Sequence, residues 1–233
     1  MEMTYSSPPW LSVIVPARNE ASGIAQTLAP LASWRNRGVE VILVDGGSTD
    51  ATRARAGVGV DQLLESAPGR AHQMNRGAAQ ARAPLLWFLH ADTRVDGRHL
   101  QVLKEENRPW GHFRVRLSGR HPLFRVIAAL MNLRSRVTGV STGDQSLFVR
   151  TDLFRVAGGF PEQPLMEDVA FTARLRRQAG RPAQRGPALT TDSRRWENRG
   201  AWRTIREMWW LRWRYWRGED PAVLRQRYER DTP

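Results

Sequence analysis

The chain has 233 residues, enough for one good-sized domain with an appendage, and its 41% apolar content suits a globular core. It contains no cysteine, which excludes disulfides and thiolate metal sites, so any metal must be held by oxygen or imidazole. A net charge of +13 rests almost wholly on arginine, with Lys104 the only lysine; the excess suits nucleic acid, anionic lipid or a phosphorylated substrate, and equally a GC-rich genome.

Residues 1–10 read as a loose arm. The segment LSVIV at 11–15 is a short β-branched strand stopped by Pro16, which cannot donate into a central ladder. Ala17, Arg18, Asn19 and Glu20 then place polarity at its C-terminal end. A helix carrying Ile24, Leu28 and Leu31 follows, and residues 35–38 make a turn. Residues 39–44 are the second strand, ending in DGGSTD at 45–50. Its two glycines let backbone approach a ligand, and Ser48, Thr49 or Asp50 can cap the next helix. Asp45 stands where a carboxylate meets a ribose in dinucleotide folds; the plainer reading is a turn aspartate.

Residues 61–64 form a weaker third strand. Residues 69–83 read as a helix with Met74 and Ala78 inward and Arg70, His72, Asn75 and Arg76 near a start that could meet an anion. The segment LLWFLHADT at 85–93 is the strongest strand signal. Five apolar side chains in succession suit a strand covered on both faces, and polarity begins abruptly at His90. Asp92, held at that strand end, calls for a metal ion, an arginine or a helix N-terminus, or it caps the next helix. Strands alternating with helices predict parallel βαβ units in a Rossmann-like layout, without G-x-G-x-x-G or a P-loop.

The pattern changes after residue 110. HFRVRL at 112–117 alternates as a half-exposed, antiparallel strand would. Residues 122–133 read as a core helix with Leu123, Ile127, Leu130 and Met131. Residues 143–149 read as a strand whose polar start, Asp144 and Gln145, could face a substrate. Residues 158–161 make a turn, and Glu167 and Asp168 open a helix that runs through Leu175. Carboxylates there are either dipole partners of the helix amides or, for Asp168, a general base.

Six of the ten tryptophans lie from Trp196 onward. Trp202, Ile205, Trp209, Trp213 and Trp216 make one helical stripe, with Arg203, Arg206, Arg214 and Arg217 elsewhere around the helix. Such a helix packs on its own domain, the commoner fate, or lies on an anionic membrane surface; Trp210 stands off the stripe. No run of about 18 apolar residues and no basic-then-apolar leader occurs, which predicts a cytoplasmic protein, peripheral to a membrane if the tail touches one.

With these residues in place, the sequence resembles family 2 glycosyltransferases of the GT-A fold. Within them it is similar to the small group associated with radical-SAM and arsenosugar-type gene neighbourhoods. The resemblance runs from about residue 11 to 196 and is carried by VIVPARNE (13–20), VDGGSTD (44–50), GRAHQMNRG (69–77), FLHADT (88–93), GDQ (143–145) and Glu167-Asp168. It implies an α/β three-layer sandwich with a mostly parallel central sheet over residues 1–196, and a helical tail over 197–233.

The resemblance also implies an inverting transferase using a nucleotide-diphosphate sugar, most readily a UDP-sugar, with Mn²⁺ or Mg²⁺. Pro16, Arg18 and Glu20 would line the nucleoside pocket with Ala91, and Asp45 would accept from uracil or ribose. Asn75 and Gly77 would close over the base. Asp92 matches the last aspartate of the family's D-x-D, whose first is His90 here; imidazole suits Mn²⁺ better than Mg²⁺. Asp168, beside Glu167, matches the presumed catalytic base. Arg195-Trp196 weakly resembles the R-W pair of processive synthases, without the rest of that motif.

The acceptor, a small molecule or a lipid-linked one, would meet candidates among His112, Arg114, Asp144 and Gln145. Arg70 or a tail arginine is available to neutralise phosphate. One rival is a sugar-phosphate nucleotidyltransferase, which usually carries a glycine-rich loop that residues 16–20 lack. The other is a non-catalytic basic domain binding nucleic acid or membrane, which leaves the acidic strand ends unexplained; no nucleic-acid partner is expected.

Overall fold

The computed structural model describes residues 8–57 and 59–230. Its centre is an eight-stranded sheet in the order β3-β2-β1-β4-β7-β6-β8-β5. β1 (Leu11–Ala17) lies between β2 (Val39–Asp45) and β4 (Leu85–Phe88), and β3 (Gln62–Glu65) closes that side. These pairings are all parallel, with Leu11 beside Val39 and Leu85, and Ala17 beside Asp45. The crossovers contain α1 (Ile24–Trp34), α2 (Thr52–Ala56) and α3 (Arg70–Gln80), as the alternating pattern predicts.

The other half-sheet is mixed. β7 (Leu147–Arg150) runs antiparallel to both β4 and β6 (Trp110–Leu117), whereas β8 (Ala183–Thr191) runs parallel to β6. β5 (Thr93–Arg94) is the short edge, antiparallel to β8. The antiparallel expectation for 112–117 therefore holds only at His112, opposite Leu147 of β7, and fails from Phe113 onward, where the paired strand is the parallel β8. Alternation reports one exposed face, here Arg114 and Arg116, and not the direction of the partner.

Helices cover both faces, which gives the expected α/β layering. On one, α1 and α4 (Gly97–Glu105) bury Ile24, Leu28, Leu31, Leu100 and Leu103 against the sheet. On the other, α3, α6 (Thr151–Val156) and α7 (Glu167–Ala179) bury Met74, Ala78, Phe154, Phe171 and Leu175. Successive residues of β4 serve opposite layers, as the period of two requires. Trp87 stacks on Trp34 at 6.3 Å, while Phe88 meets Phe160 edge-on at 4.9 Å. Truncating either ring would cost about 3–5 kcal/mol.

Several expectations need correction. Pro16 does not end β1; it pairs beside Val44 and the strand continues to Ala17. The β1–β4 ladder has already ended at Ile14, so the missing N–H interrupts no rung on that side. Trp10 is not part of a loose arm, because its N and Nε1 donate to Gly38 O and Arg37 O at 3.0 Å; residues 1–7 lie outside the described residues. Residues 143–145 form a 3₁₀ turn, not a strand start, and Ser146 at φ 46° breaks the chain between that turn and β7. In α5 (Pro122–Thr138), Ile127 is buried but Leu130 is 57% exposed.

The tail forms α8 (Arg194–Arg199), α9 (Ala201–Trp216) and α10 (Pro221–Arg230). Ile205 packs against the Phe124 and Ile127 cluster, and Leu211 against Met166 and Leu224. Most of the expected stripe faces outward instead: Trp202, Trp209, Trp213 and Trp216 are exposed. No helix among the described residues is long and apolar enough to cross a membrane.

Candidate active site

The parallel strands β1, β2 and β4 end side by side, where open α/β sheets hold ligands. Two polar crosslinks fix those ends. Gln73 of α3 donates through Nε2 to Ala17 O at 2.8 Å and Val44 O at 2.9 Å. Thr27 of α1 donates to Ala91 O at 2.6 Å. Ala17 O also accepts from Gly46 N at 3.0 Å, so these side chains add to the backbone bonds that hold the strand ends.

The turn after β2 folds onto Asp45. Its Oδ2 accepts from Gly47 N at 3.2 Å and Ser48 N at 3.0 Å, and its Oδ1 accepts from the Ser48 hydroxyl. The turn-aspartate reading is thus met, yet a carboxylate has about four acceptor positions, so capacity remains for a ligand. Asn19 N donates to Ser48 Oγ and Thr49 N to Asn19 Oδ1, both at 2.9 Å, joining the loops after β1 and β2. Pro16 is buried under this floor, while Arg18 is exposed above it.

Glu20 accepts from Arg194 Nη2 of α8 at 3.2 Å. Loss of water holds its carboxyl above the usual range against the pull of Arg194, with the charges of Asp92 and Asp192 adding to the rise. The tail therefore reaches the rim of the same cleft.

Past the end of β4 begins an acidic group. Asp92 is half-buried just past β4, and among the described residues its hydrogen bond is a long one from the Thr93 hydroxyl, 3.5 Å. His90 is buried, with Nδ1 3.6 Å from Asp144 Oδ1. Gly143 packs on the other edge of that ring, where a Cβ would fall 2.5 Å from Nε2, so only glycine lets the turn lie so close. The same Gly143 donates its N–H to Asp168 Oδ2 at 2.7 Å, and Val169 N donates to Oδ1 at 2.7 Å. Asp168 is thus fixed by backbone amides on both oxygens, one of them in its own helix start.

Arg70, at the start of α3, links the group electrically. Desolvation works to lower its pKa, but the negative charges of Glu167, Asp144, Asp168 and Asp92 outweigh this and hold it raised. Glu167 is buried, and loss of water together with the Asp168 charge raises its pKa despite Arg70. Arg134 of α5 feels Asp168 and Asp144 from the other side. These residues, distant in sequence, converge on one cleft.

Other candidates stand elsewhere. Gly77 faces the sheet, where a Cβ would lie 2.5 Å from Ile14 Cγ2, so it serves close helix packing instead of closing over a base. Asn75 is engaged with Phe160, donating to its O at 2.8 Å and accepting from its N at 2.9 Å. Gln145 is fully buried and holds its own turn through Ser135 and Thr142. Arg114 is exposed and donates to Gly186 O at 3.0 Å. His112 is fully buried; burial pushes its imidazole down to about 4, with Phe113 O opposing and Arg134 assisting. Its Nε2 has no partner among the described residues. Of the four acceptor candidates, Asp144 alone faces this cleft beside His90.

Gln73, Thr27, Arg134 and Arg194 were not anticipated as site residues. Gln73 had a signal: a polar residue one turn before Gly77 on the inward helix face. Arg134 and Arg194 had none, because many arginines flank them.

A sheet whose parallel strands end in polar turns around one cleft is an α/β nucleotide-binding architecture. Residues 12–108 match the family Glycosyl transferase family 2. "Uncharacterized glycosyltransferase Rv1514c" of Mycobacterium tuberculosis is 38% identical over 98 residues, 40% of this chain and 37% of that protein. The chain therefore matches little more than a third of that relative's length. S. aureus TarS 1–349 in complex with UDP-GlcNAc has a TM-score of 0.63 at 20% identity, covering 78% of this chain and 58% of that chain. The mannosyltransferase PcManGT of Pyrobaculum calidifontis, in complex with GDP-Man and Mn²⁺, has a TM-score of 0.61 at 21% identity, covering 80% and 57%. The shared architecture is the GT-A fold.

Proposed function

We propose that this chain is a glycosyltransferase that moves a sugar from a nucleotide-diphosphate donor to an acceptor hydroxyl with inversion at the anomeric carbon. The observation that carries the reading is the Gly143 turn, which bonds Asp168 at 2.7 Å and sets Asp144 3.6 Å from His90, with the charges of Glu167, Asp144, Asp168 and Asp92 all raising the Arg70 pKa. The family match over residues 12–108 and solved relatives bound to UDP-GlcNAc or GDP-Man support the donor class.

In this reading the loops after β1 and β2 receive the nucleoside, with Pro16 below, Arg18 and Glu20 at the rim and Asp45 accepting from base or ribose. Arg70 and Asp92 then border the diphosphate. Among the described residues no three His, Asp or Glu side chains form a metal cage. A divalent ion shared with phosphate oxygens and water needs only one or two protein ligands, and the lightly bonded Asp92, with His90 two residues before it in the chain, fits that requirement. Bound there, the ion would supply Lewis-acid stabilisation of the leaving phosphate.

Asp168 is the base. Its amide bonds fix the carboxylate plane, so it takes the proton from the acceptor hydroxyl as that oxygen attacks the anomeric carbon. The bond to the diphosphate breaks through an oxocarbenium-like state, and the nucleotide leaves with the electron pair. Asp144 is placed to hold the acceptor, and the buried Glu167, whose pKa is raised by loss of water and by the Asp168 charge, opens the same helix beside the base.

Calorimetric titration with UDP, GDP and CMP, with and without Mn²⁺, tests this on the wild type and Asp92→Ala. One nucleotide should bind in a Mn²⁺-dependent manner, and in the variant Mn²⁺ should no longer strengthen its binding. No binding of any nucleotide under either condition sinks the donor site.

A further inference from the structure

The tryptophans of α9 stand on the wrong side of their helix for a core. Trp202, Trp209, Trp213 and Trp216 are 72%, 69%, 52% and 90% exposed and share one helical face. Thr204 and Leu211, nearly opposite, are buried, and Leu211 is locked against Met166 and Leu224. The helix is therefore docked, and docked so as to present the rings outward. A second apolar row lies on α5, where Val126, Leu130, Leu133 and Val137 are all more than half exposed while Phe124 and Ile127 face inward. Folded monomers rarely leave apolar area on this scale in water.

Charge selects the occupant. Arg203, Arg206 and Arg217 flank the tryptophan face and are exposed. The Arg217 guanidinium sits 5.3 Å from the Trp213 ring centre and that of Arg214 5.5 Å from Trp210. Against a second copy, one +13 chain would meet another with arginine facing arginine. At an anionic bilayer both features are satisfied at once, because indole rings settle at headgroup depth and guanidinium groups pair with lipid phosphate.

We propose that α9 is an interfacial helix that seats the protein on an anionic lipid bilayer, with its tryptophan face in the headgroup region and its arginines on the lipid phosphates. The seat is continuous with the cleft, since α8, just before α9, carries the Arg194 that binds Glu20. The proposal does not depend on the chemistry performed in that cleft.

The test is co-sedimentation of the full chain with vesicles of phosphatidylcholine alone or mixed equally with phosphatidylglycerol, alongside tryptophan emission. Binding to the mixed vesicles, weakened by salt and accompanied by a blue shift, is expected. A variant with Trp209→Ser, Trp213→Ser and Trp216→Ser should partition roughly tenfold or more weakly. Trp216→Ser alone, at the most exposed position, gives a smaller loss and guards against misfolding of the triple variant. Failure of the wild type to bind anionic vesicles overturns the proposal. So does undiminished binding by the folded triple variant, which would leave the arginines as a general polyanion surface. A dimer in sedimentation velocity that the triple variant abolishes, without vesicle binding, assigns the face to a second copy instead.

Discussion

The two halves of the sheet treat polar groups differently. In the β3-β2-β1-β4 half, every pairing is parallel and polarity gathers at the C-terminal ends, where Asp45 and Asn19 are tied into neighbouring turns. In the β7-β6-β8 half, polar side chains lie inside the fold, and His112 Nε2, Ser141 Oγ and Ser146 Oγ have no protein partner among the described residues. The parallel half also holds one such atom, Trp87 Nε1 on β4, but its buried Ser12 and Glu40 are bonded to each other, and Glu40 also to Arg82. The mixed half leaves more of its buried polar atoms without a partner from the described residues, and so is the less completely bonded of the two.

Substitutions can break this comparison. Asp168→Asn, on the mixed side, should lower turnover by about 10²–10⁴-fold while nucleotide affinity stays near wild type. An equal loss of nucleotide binding would mean that the two halves do not divide the work as proposed.

The next effect is on stability. His112 titrates near 4 when folded and near the ordinary 6.5 when unfolded, so the unfolded chain takes up the proton first as pH falls. Stability should therefore decline between about pH 6.5 and pH 4, by on the order of 3 kcal/mol, relative to His112→Gln. Urea melts across that window check it; parallel curves for the two proteins refute the buried neutral imidazole.

On the parallel side, Gly77→Ala should destabilise, because its Cβ would press on Ile14. Overpacking costs roughly 1–3 kcal/mol, and improved helix propensity offsets at most about 1. A stabilised variant would show that α3 can lift from the sheet. Smallest of all, Arg194→Ala removes a half-exposed ion pair with Glu20 and should change the melting free energy by less than about 1 kcal/mol. A larger loss would make the tail part of the cleft's own scaffold.

Much of the parallel half was legible in the sequence because its signals are local. Runs such as residues 41–44 and 85–89 are apolar throughout, and the first polar residue after each marks the ligand end. Asp45, Asp92 and Asp168 could be singled out on those grounds and by resemblance. The mixed half was less legible. α4, α6 and β8 left no strong periodic trace, and the alternation of 112–117 could not say that one neighbour would be parallel.

The sequence alone determined the βαβ order, the absence of cysteine chemistry and the acidic strand ends, since these depend on side-chain type and short-range spacing. The tertiary structure decided which of those residues share a cleft. It brought Arg70 and Arg134 to the acidic group and Arg194 to Glu20, from three separate helices, and it assigned Gly77 and Asn75 to packing and loop bonding. It also decided the facing of α9. An apolar stripe fixes which residues lie together on a helix, whereas only the docking of the opposite face, through Leu211, determines whether that stripe meets protein or solvent.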